Sequence, residues 1–110
     1  MAQVHSVSDS LDTSDTVRVV FPRYFEYSIL TITLPATTDT VKVFVGTNTT
    51  PSKYGQIGVK DMLTYETVQV ITGNTTPNRK YLLLYGLRQP DIKLISTTNS
   101  AKLGFTLEAY

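Results

Sequence analysis

The side chain that most often moves protons near neutral pH is histidine, and this 110-residue chain has one, His5. It stands in the opening stretch "MAQVHSVSDS", ahead of any apolar pattern that would hold it. Catalytic groups must be positioned to within fractions of an ångström, so a Ser-His-Asp arrangement is not expected. Cysteine is absent, which removes a thiol nucleophile, a disulfide framework and a thiolate metal site together. Paired carboxylates are the remaining route to acid–base work, with Glu26, Asp39, Asp61, Glu66, Asp91 and Glu108 available. Most fall in turns or alternate outward on apolar segments, the usual places of solvated carboxylates. Asp9, Asp12 and Asp15 recur at every third position without the glycine and glutamate of a calcium loop. No phosphate-binding glycine loop is present. The expectation is a protein without catalytic, cofactor-binding or metal residues, and not an enzyme.

A second pattern invites a ligand. "VKVFVGTNTTPSKY" at 41–54 and "VQVITGNTTPNRKY" at 68–81 each lead from alternating valines through glycine into NTTP and then a Lys-Tyr pair. Asn48 and Asn74 satisfy the N-glycosylation pattern, but the first residues lack the basic and apolar regions of a signal peptide. Synthesis in a cytoplasm is therefore expected. Asn48, Tyr54, Asn74 and Tyr81 are candidate ligand-loop residues. The structural explanation is stronger: glycine allows positive φ, asparagine bonds its own backbone, and proline ends a strand.

The elements that would position these residues read as strands. Threonine occurs 18 times and charged residues make up 17% of the chain, against about 25% in ordinary soluble domains. Threonine is β-branched and suits a pleated surface. Val17, Val19 and Phe21 recur with a period of two, as do Val41, Val43 and Val45, Ile92 and Leu94, and Leu103, Phe105 and Leu107. The five prolines fall between such segments. Strands are expected near 16–21, 25–34, 40–46, 63–72, 80–88, 91–97 and 103–109, with a short one at 56–60. Phase breaks within 25–34 and 62–72 suggest bulges at which a strand changes sheets. The fold expected is all-β: a single-domain antiparallel sandwich of seven or eight strands, of jelly-roll or Greek-key type. Residues 16–110 would form it, and the polar residues 1–15 would be a flexible arm.

Net charge is +1, with three aspartates and no Lys or Arg in residues 1–17. The basic residues are scattered, which speaks against nucleic acid as the partner. No segment is apolar enough to span a membrane as a helix. What stands out is apolar surplus on the outward phase. Val20, Phe44 and Ile95 oppose core residues on three separate strands, and "KYLLLYGLR" at 80–88 is apolar on both faces, as either a central strand covered on both sides or a subunit interface would be. Val20, Phe44, Leu82, Leu84 and Ile95 are thus candidate interface residues, since outward apolar patches mark contacts.

In composition and expected architecture over residues 16–110, the chain resembles the small decoration or cement proteins of tailed bacteriophage heads. The resemblance implies a virion protein that forms homo-oligomers and stabilises a capsid shell through contacts with other protein subunits. It rests on no family motif and carries no residue role over. A carbohydrate-binding or adhesion module, using Tyr54 and Tyr81 against a glycan, is the alternative.

Overall fold

The computed structural model describes residues 5–12, 14–21, 25–34, 36–46, 53–73, 79–85, 91–97 and 102–110. In chain order its strands are β1 (His5–Leu11), β2 (Thr16–Val20), β3 (Tyr27–Thr33), β4 (Thr40–Gly46), β5 (Tyr54–Ile57), β6 (Val59–Asp61), β7 (Thr67–Val68), β8 (Ile71–Thr72), β9 (Arg79–Tyr85), β10 (Asp91–Thr97) and β11 (Leu103–Ala109). All pair antiparallel, in two packed sheets. Sheet A has the order β1-β11-β3-β9-β6-β7, and sheet B the order β2-β10-β4-β5 with β8 beside β5 on β4. No helix occurs among the described residues, so none there could cross a membrane.

Alternation explains which face each strand buries. On β11, Leu103, Phe105, Leu107 and Ala109 are buried, while Gly104, Thr106 and Glu108 point away from the core. On β10 and β4, Ile92, Leu94, Val41 and Val43 supply the opposing layer. Each fully buried Leu or Ile contributes about 1.5–3 kcal/mol relative to exposure. Core residues from both sheets form one cluster, closed at one end by Phe21 and Phe25, whose rings meet edge to face at 5.3 Å.

Four expectations change. Residues 5–11, expected within the flexible arm, form β1, paired along its whole length with β11. Leu11 is buried, and His5 lies edge-on to Phe21 at 5.3 Å. Ser6, Ser8 and Ser10 occupy the outward phase, and Asp9 interrupts the inward phase between Val7 and Leu11, so the period of two is masked at this edge strand. The bulge expected within 25–34 is absent: β3 pairs without interruption with β9, and Ser28, Leu30 and Ile32 all face inward. The apparent phase break arises because Phe25 precedes the strand, whereas Tyr27 and Ile29 belong to its outer face. Leu82 and Leu84 are fully buried, so they are core, not interface. β9 lies between β3 and β6 and turns these two residues toward sheet B; Leu83 occupies the outward phase.

The expected strands near 56–60 and 63–72 are not single strands: β5 and β6 divide the first stretch and β7 and β8 the second, which raises the strand number. The chain crosses from sheet B to sheet A at Gly58, between β5 and β6, and back again between β7 and β8. A Cβ on Gly58 would lie 2.7 Å from Thr67 Cγ2 and 2.8 Å from Gln69 Nε2, so the crossing strands pass each other there. The sheet change expected within 62–72 is present, carried by the bend at residues 69–70.

Of the aspartates spaced by three, Asp9 lies in β1, and Asp12 and Asp15 are turn chemistry. Asp15 accepts from the backbone of Thr16 (2.8 Å) and Asp12 (3.0 Å). Ser96 Oγ accepts from the Asp15 N–H at 3.0 Å and donates to the Asp12 carbonyl at 2.9 Å. Ser14, inside this corner, takes φ 52°.

Candidate interaction surface

The hairpin joining β6 to β7 is built around Asp61. Its carboxylate accepts the Leu63 N–H at 2.8 Å and approaches Lys80 Nζ at 3.8 Å, while its backbone accepts the Tyr65 N–H at 2.8 Å. The Met62 N–H donates to the Tyr81 carbonyl at 2.9 Å, which fastens the turn to β9. The short-range Asp bonds are those of an Asx turn. They hold Tyr65 at φ 63°, a left-handed conformation unfavourable for an aromatic residue by about 1–2 kcal/mol.

What this turn presents is apolar. Leu63 and Tyr65 are each 75% exposed, and Met62 and Tyr81 are 40% and 47% exposed. They gather at one region of the outer face of sheet A, beside an open cavity of about 340 Å³ lined by Ile29, Thr31, Met62, Leu63, Tyr81 and Glu108. Lys60 Nζ stands 5.6 Å from the centre of the Tyr65 ring. Solvent-exposed apolar side chains on a strained turn are a costly arrangement, and clustered ones mark contact surfaces.

Register lines these residues up. Across sheet A, Ser6 lies opposite Glu108, Glu108 opposite Ile29, Ile29 opposite Leu83, Leu83 opposite Lys60, and Lys60 opposite Thr67. One row of the outer face thus reads acid, apolar, apolar, base across β11, β3, β9 and β6. At the β1 and β11 end this face carries small residues, Ser6, Ser8, Gly104 and Thr106, with Ser8 and Thr106 hydroxyls 3.0 Å apart.

The outer face of sheet B is different. Val20 is 54% exposed, and Phe44 and Ile95 are half-buried. The three share this face as expected, but Arg18, Lys42 and Lys93 interleave with them in the register. Tyr54, a candidate ligand platform, is committed within the protein. Its hydroxyl donates to the Asp91 carboxylate, 3.0 Å from Oδ2, and Lys93 Nζ sits 3.8 Å over its ring. Arg18 grips the same carboxylate with Nε and Nη2 at 2.9 and 2.8 Å. That forked hydrogen bond, then the charge of Asp91, raises the Arg18 pKa further above its ordinary value. Asp91, a member of the candidate carboxylate set, is thereby buried beneath two partners, its side chain 2% exposed.

Of the other sequence candidates, Tyr81 lies on the exposed patch, whereas Asn48 and Asn74 lie outside the described residues. Sequence reasoning missed Leu63 and Tyr65 by reading 63–72 as strand, and Met62 stood just ahead of it. Their signal was the apolar pair at 63 and 65 soon after Asp61, whose phase is lost at once.

No family model matches the chain, and neither does any curated protein. Among solved structures, the crystal structure of the SPBc2 prophage-derived protein YomS is similar, with a TM-score of 0.67. Identity is 9%, over 99% of this chain and 97% of that one. At that identity the likeness is one of fold.

Proposed function

We propose that the chain is a non-enzymatic structural protein of a virus particle, which binds other protein subunits and stabilises a capsid shell. The observation that carries this reading is the apolar surface of sheet A, where a strained hairpin holds Leu63 and Tyr65 outward. A protein whose task is association needs such a surface, and contact with several subunits would stabilise the assembled state by mass action. The prophage origin of a structure with the same fold supports a bacteriophage setting.

The test is mass spectrometry of density-purified particles made from the genome that encodes the chain. The protein should be present in amounts comparable to the shell subunits. Particles lacking it should release their contents at a lower temperature. Its absence from purified particles would sink the proposal.

A glycan-binding role has one observation in its favour: the half-exposed ring of Tyr81 beside Thr31 and Glu108 in the same cavity. A glycan array separates the two, since saturable binding lost in Tyr81→Ala would favour the sugar.

A further inference from the structure

We infer that two copies of this chain pair face to face through the outer surface of sheet A, about a two-fold axis parallel to the strands and running between β3 and β9. The inference rests on the assembly reading and assigns it a surface and a first partner. Three features of this face are self-complementary under that one operation.

The first is charge. In the row Glu108–Ile29–Leu83–Lys60, rotation about this axis reverses the order, so Ile29 faces Leu83 and Glu108 faces Lys60 of the second copy. A two-fold axis along the row would instead set Glu108 on Glu108 and Lys60 on Lys60, like on like, which is repulsive. Within one copy the two charges stand three strand spacings apart, about 14 Å, and do not pair.

The second is shape. The β6–β7 hairpin edges one side of the face, where Leu63 and Tyr65 are exposed and Met62 and Leu63 wall the cavity over Ile29 and Glu108. The opposite side, along β11 and β1, is low, carrying the small residues Ser6, Ser8, Gly104 and Thr106; a Cβ on Gly104 would meet nothing within 4 Å. The same rotation sets the large exposed side chains of each hairpin over the low side of the other copy. The third is polarity: the apolar pair at the centre of the row and the charges at its ends make a dry middle with a polar rim, the usual anatomy of an interface. A contact in which one patch meets itself closes as a dimer.

The experiment is light scattering after size exclusion on the full chain, over a range of concentrations. Circular dichroism and melting confirm that each variant is folded. Wild type should dimerise. Leu63→Ser with Tyr65→Asn should raise the dissociation constant by about tenfold or more; asparagine tolerates positive φ, so the fold is kept. Gly104→Tyr fills the low side without touching the core and should have the same effect. Lys60→Glu and Glu108→Lys should each weaken pairing, and the double reversal should restore it, a rescue that a purely structural role would not give. A wild type that stays monomeric, an oligomer indifferent to the hairpin and Gly104 variants, or no rescue by the charge swap would overturn the inference. None of these results would alter whether the protein is found in particles, so the two readings fail separately.

Discussion

Ser28 lies within the core on β3, opposite Ala109 of β11 and Leu84 of β9, fully buried and with its hydroxyl unpartnered. An unsatisfied buried hydroxyl costs about 1–3 kcal/mol, and alanine removes it with little change of volume. Ser28→Ala should therefore hold or raise stability, by up to about 1 kcal/mol, seen as a later urea midpoint at unchanged slope. A clear loss would show that the hydroxyl has a partner. Single residues were the least legible scale in the sequence. That Asp91 would be covered by Arg18 and Tyr54 depends on three strands meeting, and residues 18, 54 and 91 carry no local sign of it. Asp61 carried a sign, an acid at the head of a turn, but one shared by many surface aspartates.

At the scale of elements the period of two was sufficient where a strand is apolar on one face. β10 and β11 fall within the expected bounds because Ile92, Leu94, Leu103, Phe105 and Leu107 alternate without interruption. It failed where burial is shallow, at β1, or where strands of two to four residues switch sheets, as between β5 and β8. β1 now carries a prediction. Deleting residues 2–11 should not leave the fold intact, because it uncovers the edge of β11 and removes Leu11 from the core. Leu11→Ala alone should cost about 2–5 kcal/mol. An unchanged melting temperature in the truncated protein would show that β1 is dispensable. The corner at 36–39 makes a second prediction. Asp39 is buried, its carboxylate accepts the Ala36 N–H at 3.0 Å, and its carbonyl accepts the Gly73 N–H at 3.0 Å. A Cβ on Gly73 would collide with the backbone carbonyl of Ala36, which cannot swing aside as a side chain can. Gly73→Ala should cost about 1–3 kcal/mol, and thermal melting would register it. Gly55→Ala, where a Cβ meets nothing within 4 Å, is the control.

For the whole molecule, association should be visible in stability itself. If copies pair in the folded state alone, the melting temperature rises with protein concentration. Wild type should show that rise, and Leu63→Ser with Tyr65→Asn should abolish it. A wild-type melt independent of concentration would contradict pairing. The order of sheet A also bears on how the molecule comes into being. β11, the last strand among the described residues, lies between β1 and β3, and the Ser8–Thr106 contact spans 98 positions. Until β11 is available, β1 lacks the strand it pairs with in sheet A and one edge of β3 stays bare. Such distant pairing slows folding and leaves strand edges open to wrong partners in the meantime. A chain emerging from the ribosome must wait for residues 103–109 before sheet A can close, so the interval before they emerge is its most vulnerable.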